Sequence, residues 1–162
     1  MNIKSKLLSL VIGLLVTSSV AAQEFKASEK DVLELSRVTY AESLNESQDG
    51  KMAVVWVVIN RVNTKGFPGT IHSVLFQKRA FSCLNGGGSK LMKKAMKFTL
   101  NTDNKKWQEA VADVRKALSD GPPAYMNGIV FYREKNCKGG AKTFNKLIYS
   151  FQIGNHKFYK EA

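Results

Sequence analysis

The sequence predicts an α+β domain, mainly helical, with a small antiparallel sheet at its C-terminal end. Three observations carry this. Apolar residues recur at helical spacing in two stretches: Val32, Leu35, Val38/Thr39, and then Trp107, Ala110, Val111, Val114, Ala117, Leu118. Between them residues 52–59 are apolar on every side. From Gly128 the pattern changes to short aromatic and β-branched runs, residues 129–133, 151–153 and 156–159, broken by polar, glycine-containing loops.

Residues 1–22 read as an export signal. Lys4 and Lys6 form a positive start, residues 7–16 are an apolar run too short to span a bilayer comfortably, and Val20-Ala21-Ala22 supplies small residues for cleavage before Gln23. A retained anchor is the competing reading, disfavoured by the short run. Residues 23–162 then form one domain. Ser28 is placed to cap the first helix, with Glu29 and Asp31 in its first turn as the helix dipole prefers. The stretch 43–50 is polar and loop-like. The run from 52 to 62 reads as a buried strand by its β-branching and as a buried helix by its length; periodicity leaves both open. Gly66, Pro68 and Gly69 mark a turn, and Thr70 can cap a short helix over 71–77. Gly86-Gly87-Gly88 lacks the Lys-Ser/Thr pair of a phosphate loop and reads as a flexible surface loop. Lys90, Lys93, Lys94 and Lys97 lie beside Leu91, Met92, Met96 and Phe98, as on a short helix with a cationic face. Asp103 or Asn104 caps the Trp107 helix, and Gly121-Pro122-Pro123 stops it.

The formal net charge is +12, reduced by two if the leader with Lys4 and Lys6 is removed. Such a chain is drawn to polyanions: nucleic acid, an anionic membrane surface or an acidic wall polymer. Export argues against intracellular nucleic acid. Cys83 and Cys137 form an even pair in an exported chain and are expected to form a disulfide; two separate thiols are the alternative. His72 and His156 are far apart, with no metal-ligand spacing, so no metal or other cofactor is expected.

The stretch Tyr40-Ala41-Glu42-Ser43-Leu44-Asn45-Glu46 carries the strongest chemical signal. Glu42 is the next position on the apolar stripe of the first helix, close to that helix's end. Partial desolvation there favours a protonated carboxyl, which is what a general acid near neutral pH needs. The alternative is a solvated glutamate at a frayed helix end.

Several stretches are familiar together: Tyr40-Ala41-Glu42, Glu46 to Gly50 running into Ala53-Val54-Val55, Ile59-Asn60-Arg61-Val62, Phe67-Pro68, Phe81-Ser82, and Ile153-Gly154-Asn155-His156-Lys157-Phe158-Tyr159. Their order and spacing resemble the SleB-like cell wall hydrolases, the spore cortex-lytic enzyme family, over about residues 30–160. The resemblance implies a lysozyme-like fold, similar to lytic transglycosylases, whose groove binds peptidoglycan glycan strands. It implies that residues 51–62 are a buried central helix and that Glu42 is the catalytic acid. The family's second glutamate maps onto Glu46, although Asn45 and Ser47 replace the usual glycine and proline around it, and Ser43 replaces a common alanine.

A single convincing acid suits a lytic transglycosylase. Glu42 would protonate the leaving oxygen, then deprotonate the muramic acid C6 hydroxyl as it closes on C1. Glu46, Phe81, Ser82, Tyr132 and His156 are the candidate substrate-binding residues; Phe81 as core, Ser82 as turn, Tyr132 as strand packing and Asn155 and His156 as strand-fixing residues are their structural alternatives. The expected partner is peptidoglycan, met as a monomer in the periplasm or wall, with neither nucleic acid nor a membrane as a lasting partner. A non-catalytic wall-binding protein and a basic secreted nucleic-acid binder are the competing classes.

Overall fold

Residues 52–59 fold as the middle of a helix. The computed structural model describes residues 26–137 and 141–162; the leader read at residues 1–22 lies outside them. Helix α2 (Gln48–Val62) is capped by Ser47, whose hydroxyl accepts the Gly50 N–H at 3.3 Å, and carries Asp49 in its first turn. Its β-branched residues are poor helix formers, but every position from Lys51 to Ile59 is buried, and burial outweighs propensity.

The other elements enclose this helix. Helix α1 (Glu29–Ser43) starts in a capping box, Ser28 Oγ accepting the Asp31 N–H and Asp31 accepting the Ser28 N–H at 2.9 Å. It buries Val32, Leu35, Val38 and Tyr40. Helix α3 (Ile71–Leu75) is capped by Thr70 and is shorter than the sequence suggests. A 3-10 segment, Ser82–Gly87, follows where the sequence suggests a loop; Gly86, Gly87 and Gly88 all have positive φ, which side-chain-bearing residues rarely adopt. Helix α4 (Lys90–Ala95) exposes Lys90, Lys93 and Lys94 and buries Met92 and Ala95. Helix α5 (Lys105–Asp120), capped by Asn104, buries Trp107, whose indole N–H donates to Thr99 O at 2.8 Å and whose ring meets Tyr40 and Phe98.

The C-terminal sheet has the order β1-β3-β2, antiparallel throughout. Its strands are β1 (Ile129–Glu134), β2 (Ile148–Ile153) and β3 (His156–Lys160), with the short helix α6 (Ala141–Phe144) between β1 and β2. Pairing shifts register between Ile129 and Phe131 and between Tyr149 and Phe151, bulges that change the phase of side chains along the strands.

Polar side chains stitch α2 to its neighbours. Trp56 donates to Ala117 O of α5 at 3.1 Å. Asn60 Nδ2 donates to Met126 O and Ile129 O, at 2.7 and 2.9 Å, and Arg61 Nε donates to Val130 O at 2.7 Å. The last turn of α2 therefore fixes where β1 begins. At its other end, Lys51 Nζ meets Asp113 Oδ2 at 3.0 Å, and Gln48 donates to Asp113 Oδ1 at 2.8 Å. Both ion-pair partners are buried. Asp113→Ala strands the Lys51 ammonium inside the protein, so urea unfolding should show a loss of about 3 kcal/mol. An unchanged midpoint would mean that Lys51 escapes to water.

Candidate functional site

The end of α1, the segment 77–82, β1, α6 and the β2–β3 turn surround a groove of about 1190 Å³. Glu42, in the last turn of α1, is half-buried in its wall. Three donors from elsewhere in the chain reach its carboxylate. Oε1 accepts the Cys83 backbone N–H at 2.6 Å and the Ser82 hydroxyl at 2.9 Å. Oε2 accepts the Tyr132 hydroxyl at 3.4 Å. Oε1 thus has two short bonds and Oε2 one long one, so a proton on this group belongs on Oε2.

The groups around Glu42 stay uncharged. Burial raises the Tyr132 phenol well above its ordinary pKa and the Glu42 charge adds to this, partly opposed by Arg61. Burial also raises the Cys83 thiol, and the nearby Glu42 carboxylate pushes it further. Burial lowers His156, opposed by Glu46, Glu42 and Glu134. Tyr132 therefore acts as a neutral donor, its ring packed against Phe81, His156 and Phe158.

Glu46 also faces the groove, but its carboxylate grips the β2–β3 turn. Oε2 accepts the Asn155 N–H at 3.1 Å and Oε1 accepts Asn155 Nδ2 at 2.9 Å. Gly154, at φ +55°, leaves room for this grip; a side chain there would run into Glu46 Oε2. Of the other residues singled out from the sequence, Ser82, Tyr132 and His156 come together with Glu42 in the groove wall.

Two expectations need correction. Phe81 does not line the groove: it is 1 % exposed, with Arg61 over its ring, because its bulk is needed in the core. The Cys83–Cys137 disulfide is not formed. Cys83 is buried beside Glu42, to which its backbone N–H donates, while Cys137 is exposed in the groove wall. The sequence places Arg61 only in the motif Ile59-Asn60-Arg61-Val62 and Arg133 only in the strand run 129–133, and gives neither of them, nor Phe144, a place in the groove that all three line. Arg133 donates to the Tyr159 hydroxyl at 3.1 Å and lies over the Phe144 ring. An arginine just beyond the all-apolar run 52–59 is the available signal for Arg61.

A mainly helical domain with a three-stranded antiparallel sheet and a carboxylate held in the wall of a groove belongs to the class of lysozyme-like folds. Residues 45–159 match the cell wall hydrolase family, and the chain belongs to that family. The matched range begins just after Glu42. The spore cortex-lytic enzyme of Oceanobacillus iheyensis is 29% identical over 133 residues, 82% of this chain and 42% of that protein. That of Bacillus subtilis is 32% identical over 60 residues, 37% of this chain and 20% of that protein. The chain thus spans less than half the length of these relatives. The catalytic domain of the Bacillus cereus SleB protein superposes with a TM-score of 0.66 at 26% identity, over 84% of this chain and 94% of that one. The catalytic domain of the germination-specific lytic transglycosylase SleB from Bacillus anthracis gives 0.64 at 24% identity, over 86% and 100%, a likeness of fold.

The depressed pKa of His156 has a signed consequence. Its neutral form is favoured in the folded chain, so its contribution is complete above the unfolded value near 6.5 and is lost as pH falls through the lower folded value. Urea midpoints measured from pH 7.5 downward should fall less steeply for His156→Phe than for the parent chain; parallel curves would contradict this assignment.

Proposed function

We propose that this chain is a peptidoglycan-cleaving glycosidase, a lytic transglycosylase cutting between N-acetylmuramic acid and N-acetylglucosamine, with Glu42 as its general acid and base. The observation that carries the reading is the Glu42 carboxyl in the wall of a polymer-sized groove, one oxygen held by two short hydrogen bonds and the other lightly held. Family membership and the fold of the Bacillus cereus SleB catalytic domain support it.

In the mechanism, the proton on Oε2 passes to the glycosidic oxygen as the C1–O bond breaks. Positive charge develops at C1 and the ring oxygen, beside the carboxylate that Glu42 has become. Oε2 then takes the proton of the muramic acid C6 hydroxyl while that oxygen bonds to C1, closing a 1,6-anhydro ring and restoring the acid. Ser82 and the Cys83 amide hold Oε1 throughout, and Tyr132 keeps Oε2 aimed. A hydrolytic route normally uses a second carboxylate. Glu46 is committed to Asn155, which favours the single-acid route. The leader read at residues 1–22 fits a site of action in the periplasm or wall, and the positive charge, +12 less the two lysines of that leader, fits a strand carrying peptide carboxylates.

Glu42→Gln keeps the shape and removes the transferable proton. Clearing of a suspension of purified walls should slow by about 10³-fold while circular dichroism stays unchanged. Mass analysis of the parent chain's products should give 1,6-anhydromuropeptides; reducing ends would indicate hydrolysis. Sedimentation with walls and no soluble product would favour a wall-binding protein.

A further inference from the structure

Arg61 closes α2 and is 5 % exposed, yet it lines the groove. Its guanidinium carbon lies 5.5, 5.4 and 5.6 Å from the ring centres of Phe67, Phe81 and Phe131. These rings hold the side chain in one place and offset part of the cost of burying its charge. Of its five N–H donors only Nε–H is bonded, to Val130 O at 2.7 Å. Among the described residues no carboxylate pairs with it and no acceptor meets its Nη nitrogens. Neither Nη nitrogen is among the sealed, unpartnered polar atoms, and the residue lines the groove. A buried cation left without an anion is costly, and a planar fork held rigid with two free nitrogens matches a carboxylate's two oxygens. The other groove cations differ: Lys78 and Arg79 are exposed, and Arg133 is tied to Tyr159 and Phe144.

Tyr132 sets the location. Its hydroxyl bonds Glu42, and its ring lies 6.3 Å from that of Phe81, over which the Arg61 guanidinium sits at 5.4 Å. We propose that Arg61 is a specificity-determining residue that takes a substrate carboxylate beside the scissile bond, pairing with it through both Nη groups. The inference rests on the peptidoglycan reading above. In that polymer carboxylates sit on the lactyl ether of muramic acid once the peptide is removed, and on the stem peptide while it is attached; both present the same group to Arg61.

The test uses glycan strands in two forms, carboxylates free or capped as methylamides, with the parent chain, Arg61→Lys, Arg61→Gln and, as an exposed-cation control, Lys78→Gln. KM and kcat are read from soluble product, strand binding from sedimentation, and folding from thermal melting. For the parent chain, capping should raise KM about tenfold, the scale of one charge-assisted hydrogen bond, with kcat little changed. Arg61→Gln should start at the raised KM on free strands and ignore capping; Arg61→Lys should keep part of the difference, and Lys78→Gln all of it. A parent chain indifferent to capping overturns the proposal whether or not any variant folds, as does a folded Arg61→Gln that still discriminates or that loses activity equally on both forms. Strands stripped by an amidase locate the source: dependence on Arg61 that persists assigns the lactyl carboxylate, and dependence that needs the peptide assigns the stem. Should the parent chain cleave neither form, the cleavage reading fails, and sedimentation of free against capped strands still decides the Arg61 contact.

Discussion

The 2.6 Å hydrogen bond from the Cys83 amide to Glu42 joins two parts of the chain that the sequence keeps 41 residues apart. A helix end frays unless something outside the helix holds it. Here the amide at the start of the 3-10 segment, the Ser82 hydroxyl and the Tyr132 phenol come from two further elements and meet on one carboxylate. A side chain on a terminal turn is thereby confined to one orientation along the groove. Cys83 supplies the backbone donor of this clamp.

That clamp needs three elements to arrive in register, and α2 provides this. Its apolar body is buried on all sides, so its place in the molecule is set by packing. Its polar ends then convert packing into alignment. Asn60 and Arg61 bind carbonyls around the start of β1, which fixes how far along the strand Tyr132 falls, while Lys51 and Gln48 fix α5 through Asp113. On the far side of the groove, Glu46 ties the α1–α2 connection to the β2–β3 turn. The groove is therefore framed by hydrogen bonds that join distant parts of the chain.

Local patterns made much of this legible in advance. The spacing of Val32, Leu35 and Val38 pointed to α1 and to Glu42 on its inner side, and Ser28, Thr70 and Asn104 marked helix starts because a capping side chain acts within three residues. The strand-or-helix choice for residues 52–59 could not be made from periodicity, since a segment buried all round has no polar face to time it; the family resemblance decided it. What escaped was long-range. Whether Phe81 faces the core or the groove depends on Arg61 filling the space above its ring. Whether two cysteines bond depends on where the fold brings each of them, and it buries Cys83 while leaving Cys137 exposed. Arg61 itself looked like the polar end of an apolar helix, because the three rings that enclose it come from three other places in the chain.

The decisive contact is that of the Glu42 carboxyl with a glycosidic oxygen inside this groove. Soaking crystals of the inactive Glu42→Gln chain with a peptidoglycan oligosaccharide addresses that directly. A glycan lying along the groove, with one inter-sugar oxygen within hydrogen-bonding distance of the side chain at position 42, is the result required. A glycan bound on another face, or one in the groove whose linkages all lie beyond the reach of position 42, would contradict it.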